Sequence, residues 1–284
     1  MSRSHADRFA GHPPRTVFVY EDPSTDALDE QGIGAYVRRT LGLPVRIRRE
    51  FVAHHFRGER RALAEKLAAA RVRHPDRPPG LEEPLYGEVE FEMRRLEDPT
   101  RPAAGVLYDA DRLAASYREL LPAAERSLRV AHVILTSRLF GTFDDDGRYH
   151  ARVNACGFPS MVSTSGIVEG PARPKEYYGV KARVSMALGS VPFEAVKEPF
   201  RGRFIDYDDA RLTEVLKGYV LQCLLYQIAG EAFCEDPRCR LFNAHWQSEV
   251  IAAQLTSGAL CRRHADIAAS IRSAARAPRR ARKG

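Results

Sequence analysis

The densest chemistry in the sequence lies in "CEDPRCRLFNAHWQ", residues 234–247, and "CRRH" at 261–264 adds to it. Cys234 and Cys239 enclose four residues, Cys261 and His264 enclose two, and 21 residues separate the two pairs. Each pair is a short hook that brings two soft or borderline donors within a few ångströms. Two hooks together make a tetrahedral set of the kind zinc takes. The competing reading makes Cys234 and Cys239 small buried hydrophobes and His264 a helix-surface residue. His245 is the rival fourth ligand. If "NAHWQSE" opens a helix capped by Asn243, His245 and Glu249 stand at i and i+4 on one face. That spacing can chelate a metal or present a base, and with a sheet histidine such as His150 it forms a candidate catalytic set, although such pairs are common on ordinary helices. Trp246 reads as a core residue.

Other motifs carry less. "DDDG" at 144–147 resembles the start of a calcium loop but has no glutamate at the twelfth position, so a hairpin turn accounts for it. "STSG" at 163–166 lacks the frame of a nucleophile elbow. Neither a phosphate-cradling P-loop nor a dinucleotide-binding glycine pattern occurs. Cys223 and Cys156 read as core and strand residues. His132 and His150 read as satisfied strand histidines, and the adjacent His54 and His55 point in different directions.

Five cysteines cannot all pair, and four of them fall between 223 and 261, which in a reducing compartment favours metal over disulfides. No apolar run approaches the ~18 residues that span a bilayer. The polar N-terminus lacks the apolar core of a secretory signal, so the expected setting is cytoplasmic, without a membrane. The net charge is +7, but Arg272, Arg276, Arg279, Arg280, Arg282 and Lys283 supply six of it, leaving +1 for the remainder. Such a tail can touch phosphates without base specificity. The body is not a basic surface.

The elements that must position these residues read as an α/β unit. "RTVFVYED" is a first strand, and Ser24 or Asp26 is placed to cap a following helix that Gly42 stops. "LPVRIRREF" alternates as a half-buried strand, and "RGERRALAEKLAAARVRH" has helical spacing before a Pro-rich loop. "YDADRLAASYRELLPAAER" is a helix begun at Asp109 or Asp111, and "SLRVAHVILTS" is a buried strand. A hairpin turning at the D-G pair follows, and "SMVSTSGIVEGPARPKEYYGV" continues as strand and then a Gly/Pro-rich loop. The clearest helix spans 208–233, with Leu212, Leu216, Tyr219, Val220, Cys223, Gln227 and Gly230 on one face. It runs directly into the first hook.

The run "CLLYQIAGEAFCEDPRCRL" resembles the archaemetzincins, zinc metallopeptidases with the pattern HExxHxxGxxHC, x4, Cys, x-Met and a later CxxC. Gly230, Cys234 and Cys239 match that frame, Leu241 stands at the methionine, and Cys261 and His264 replace the final CxxC with two extra residues in the interval. In that frame the catalytic histidines would fall at 223, 227 and 233 and the general base at 224. The chain has Cys223, Gln227, Phe233 and Leu224 there. The resemblance implies a metzincin-like α/β (α+β) fold: a mixed sheet with flanking helices and a zinc-clamped C-terminal helical segment at about 208–271. It places one domain at 15–271, between a disordered leader at 1–14 and a disordered basic tail at 272–284. It implies a metallopeptidase homologue with a structural zinc on Cys234, Cys239, Cys261 and His264 and no catalysis. Two alternatives stand beside it. One is an active zinc-dependent hydrolase rebuilt around His245 and Glu249; the other is a zinc-stabilised module that meets nucleic acid through the tail. A peptide or protein is the expected ligand.

Overall fold

The computed structural model describes residues 13–80, 82–101, 105–188 and 192–276. In chain order the elements are β1 (Thr16–Tyr20), α1 (Glu30–Leu41), β2 (Val45–Arg48), α2 (Phe51–His55), α3 (Arg60–Ala69), α4 (Tyr86–Glu97), β3 (Leu107–Asp109), α5 (Ala110–Leu120) and β4 (Val130–Thr136). They continue with β5 (Leu139–Phe143), β6 (Tyr149–Arg152), β7 (Asn154–Ala155), β8 (Ser160–Ser163), α6 (Thr164–Glu169), α7 (Lys175–Leu188) and α8 (Phe193–Lys197). The C-terminal part holds α9 (Leu212–Ala229), α10 (Gln247–Val250), a wider π-type turn over Ile251–Ser257, and α11 (Arg262–Arg276).

The main sheet has the order β2-β1-β4-β8-β7, parallel except where β7 runs antiparallel to β8. A smaller sheet, β3-β5-β6, pairs β3 parallel and β6 antiparallel to β5. The fold is therefore mixed α/β, with flanking helices on a mixed sheet.

Period-two alternation decides which layer each strand residue serves. On β1, Val17 and Val19 join Ala131, Val133 and Leu135 of β4 against α1, α9 and α11. Phe18, Tyr20 and Ile134 face the opposite way, toward Phe51 of α2, Leu63 and Leu67 of α3, and Leu113 and Tyr117 of α5. A strand covered on both sides must be apolar throughout, which is why "VAHVILT" reads as a continuous run.

Several local expectations change. Asp29, not Ser24 or Asp26, caps α1, its carboxylate accepting from Gly32 N–H at 2.8 Å; Gly42 ends that helix in the left-handed region as expected. Ser24 instead bonds Asp22. Helix α4 answers to no expected element, and after β8 the chain forms helices α6 and α7, with the expected Gly/Pro-rich loop confined to 170–174 between them. Helix α9 is not one-faced: Gly218 through Leu225 are all buried, because it runs through the core rather than along its surface. Helix α11 continues to Arg276, and Arg272 donates to Arg39 O and Thr40 O, so residues 272–276 are not tail. The rest of the expected tail, 277–284, and residues 1–12 of the expected leader lie outside the described residues. Trp246 is 36% exposed, with the Lys175 ammonium 5.9 Å from its ring, and is not core.

One buried polar network sits inside the second layer. The Tyr20 hydroxyl lies 2.8 Å from His55 Nε2 and 2.8 Å from His132 Nδ1, and Arg48 Nη1 donates to it at 3.1 Å. His132 Nε2 faces the Glu125 carbonyl at 3.2 Å, so it carries the proton and Nδ1 accepts from Tyr20. His55 Nε2–H then donates to the Tyr20 oxygen. Protonating His132 would remove the acceptor of the Tyr20 proton, and burial lowers the pKa values of both His55 and His132 from 6.5 to about 4. Between those values the unfolded chain binds more protons than the folded one. The stabilisation is complete above about pH 6.5 and is lost as pH falls toward 4. His132 alone accounts for roughly 3 kcal/mol of it. Urea midpoints measured across this range should fall with pH for the wild type and flatten for His132→Gln; an equal slope in both would remove the assignment.

Candidate metal centre

Helix α9 delivers the chain to the first hook. Gly230 adopts φ 74°, a conformation that favours glycine, and its N–H bonds Tyr226 O at 2.9 Å. The next residues fold back as a compact knot. Cys234 N–H donates to Leu241 O at 2.9 Å, Cys239 N–H to Asp236 O at 2.9 Å, and Arg240 N–H to Ala259 O at 2.7 Å. The last bond ties the first hook to the second. Cys261 immediately precedes α11 and His264 lies one turn further, so the start of the helix turns both side chains the same way.

The two hooks converge. One donor atom from each of Cys234, Cys239, Cys261 and His264 lies within 4.8 Å of all the others. Cys234 Sγ is 3.8 Å from Cys261 Sγ, and His264 Nδ1 is 3.7 Å from Cys239 Sγ and 3.2 Å from Cys261 Sγ. Zinc bonds of about 2.3 Å to sulfur and about 2.0 Å to nitrogen give tetrahedral edges of about 3.8 Å for S···S and about 3.5 Å for S···N. The three distances match those edges, and this donor set suits zinc. Asp236 N–H and Cys261 N–H each approach a sulfur, Cys234 Sγ and Cys239 Sγ, at 3.4 Å, where they support thiolate charge.

The far side of His264 is equally informative. Its ring is wholly buried, and Nε2 has no hydrogen-bond partner among the described residues; Glu231 Oε2 lies 3.9 Å from it. Arg263 clamps both oxygens of Glu231 at 2.6 Å. A histidine with Nδ1 turned to a metal and Nε2–H turned to a carboxylate is the usual arrangement around bound zinc. Glu231 and Arg263 were not among the expected site residues. Their signal in the sequence is only adjacency, since Glu231 follows the helix-ending glycine and Arg263 sits inside the second hook. Burial pushes the Cys239 thiol up to about 12 and the Cys234 thiol above its ordinary range, and pushes His264 down. Thiols in this setting keep their protons until a cation displaces them.

The alternative set does not come together. His245 precedes α10, so it does not share a helix face with Glu249. The Glu249 carboxylate accepts from the backbone N–H of His245 at 2.8 Å and of Trp246 at 3.0 Å. It caps the helix in place of Asn243. His150 pairs with Asp146 at 2.9 Å. His150 and His245 do border one open cleft of about 610 Å³ beside α9, together with Asn154, Cys156, Tyr226 and Phe233. Above that cleft, Cys223 is buried with its sulfur 3.8 Å from Cys156 Sγ, and Leu224 is buried in the core. Gln227 donates to Leu128 O at 3.3 Å and Val130 O at 3.1 Å, and Phe233 is half exposed.

No described helix is long and apolar enough to cross a membrane. None of the curated proteins matches the sequence. A solved zinc-dependent peptidase from Methanocorpusculum labreanum is similar at a TM-score of 0.42 and 11% identity, over 90% of this chain and 99% of that one. The model of the probable metallopeptidase family (DUF6775) matches residues 13–271, the whole of the sheet, its helices and the cysteine–histidine cluster. The chain belongs to that family.

Proposed function

We propose that this chain is an archaemetzincin-like metallopeptidase homologue, one metzincin-like domain over residues 15–271, that keeps a structural zinc and has lost catalysis. The zinc reading rests on the four converging donors: with Cys234, Cys239, Cys261 and His264 all bound, no coordination position is left for water or substrate. A closed site clamps; it does not hydrolyse. Three thiols committed to a metal also fit a reducing, cytoplasmic setting.

The observation that carries the loss of catalysis is Leu224. At the archaemetzincin position for the general base the chain has a buried aliphatic side chain, which cannot take a proton from water. The positions of the three catalytic histidines hold Cys223, Gln227 and Phe233, and Gln227 is already occupied with the carbonyls of Leu128 and Val130.

Incubation of the zinc-loaded protein with a peptide library should yield no cleavage above that of heat-denatured protein. Cleavage that disappears in His245→Ala or Glu249→Ala would reinstate the rebuilt active site, and a second zinc ion per chain would do the same.

A further inference from the structure

Strands β1 and β4 lie side by side in the middle of the sheet, and the chain leaves them in opposite directions, from β1 to β2 on one flank and toward β8 on the other. Open α/β sheets take ligands in the crevice outside the carboxyl ends of strands at such a reversal. A hollow of about 300 Å³ opens at that place, between Asp22 after β1, Ser137 and Arg138 after β4, α2, and the end of α4. It shares no lining residue with the metal centre or with the cleft beside α9.

Arg95 borders this hollow and is only 8% exposed. Its Nε donates to Arg101 O at 3.2 Å and its Nη2 to Ser137 Oγ at 3.0 Å, while Nη1 has no hydrogen-bond partner among the described residues. No carboxylate lies within ion-pair distance of it there. The buried acid of the same helix, Glu92, is taken up by Arg138 and Tyr108. A buried guanidinium without a counter-ion is costly, and folded proteins supply one from the chain or from a ligand. Ser137 Oγ accepts from Arg95 and so has its own proton to donate.

We infer that this hollow binds the carboxylate of a small organic monoanion, held by Arg95 and Ser137. The acids on its wall, Asp22, Glu50 and Glu97, select against a dianion such as phosphate, which they would repel more strongly. Asp22 is held in place by Ser24 and Thr164, and Glu50 by Ala53 N–H, so these charges are fixtures of the pocket.

The test is thermal unfolding of the full chain in acetate, butyrate or inorganic phosphate, against chloride at matched ionic strength. A ligand that binds only the folded state raises the midpoint with the logarithm of its concentration once that exceeds Kd. Acetate or butyrate should do so for the wild type, and phosphate should do so less. Arg95→Met should raise the concentration needed for a given shift at least about tenfold. Ala53→Trp, which fills the mouth from the exposed side of α2 and leaves Arg95 in place, should abolish the response; it serves as the second probe if Arg95→Met does not fold. Equal responses in the wild type and Ala53→Trp, no response to either carboxylate, or phosphate outranking both would overturn the inference.

Discussion

Cys239→Ala is expected to abolish stoichiometric zinc binding and to cause the largest loss of thermal stability of any single substitution outside the apolar core. Cys239 is wholly buried and touches both halves of the cluster, with His264 Nδ1 at 3.7 Å and Cys261 N–H at 3.4 Å from its sulfur. Alanine there leaves three donors and an opening to water. Structural zinc sites contribute about 10–16 kcal/mol in small zinc peptides, and a loss of several kcal/mol is the matching expectation here, where a sheet core persists without the metal. The damage should be local in origin, since the cluster ties the end of α9 to the start of α11, and α11 covers the first core layer through Ile267 and Ile271. Elemental analysis of the purified wild type should return one zinc ion per chain, and a chelator should lower its melting midpoint to near that of Cys239→Ala. Wild-type protein that is free of metal and equally stable in chelator would end the structural-zinc proposal.

Glu92→Gln should destabilise the fold by about 3–5 kcal/mol, the range for removing one partner of a buried ion pair. Glu92 is fully buried and receives Arg138 Nη1 at 2.6 Å and the Tyr108 hydroxyl. Arg138 is 5% exposed and its guanidinium also lies 4.9 Å from the Tyr108 ring. With glutamine in place, Arg138 would join Arg95 as a second buried cation without an ion-pair partner, and the Arg138 charge already disfavours that of Arg95. The cost is thus the stranded charge rather than the net worth of the bond. Glu92→Leu combined with Arg138→Met removes both charges, and urea unfolding should show the double variant more stable than Glu92→Gln. If the double variant is the weaker of the two, the pair itself stabilises the fold and the stranded-charge account is wrong.

The convergence of the cysteine–histidine cluster was legible because its donors come as local hooks. Four residues between Cys234 and Cys239, and two between Cys261 and His264, limit each pair to a few ångströms whatever the surrounding fold does. The core strands were legible for a similar reason, since the β-rich run "TVFVY" and the apolar centre of "VAHVILT" report burial directly. Helix α4 was not legible: it mixes charged residues throughout, and nothing in the sequence marks Glu92 and Arg95 as buried. Only their packing beneath the β4–β5 connection makes them buried. Helix α9 was located correctly and its environment was not, because one-sided periodicity and burial on all sides differ only in what the remaining faces touch.

Sequence alone settled which chemistries are available at the end of α9. It places three cysteines and a histidine in two hooks, and it puts leucine and phenylalanine where the archaemetzincin frame needs a base and a ligand. These are facts of residue type and short-range spacing, and no tertiary arrangement alters them. Tertiary structure decided which histidine joins the cysteines. His264 sits one helical turn from Cys261, on a helix pinned to the first hook through Arg240 and Ala259, whereas His245 is directed into a separate cleft and its neighbour Glu249 is used as a helix cap. It also brought Arg95, Arg138 and Glu92 together across more than 40 residues of chain. Spacing along a chain determines proximity only within a turn or two; beyond that, the layers that bury the apolar faces determine which charges meet.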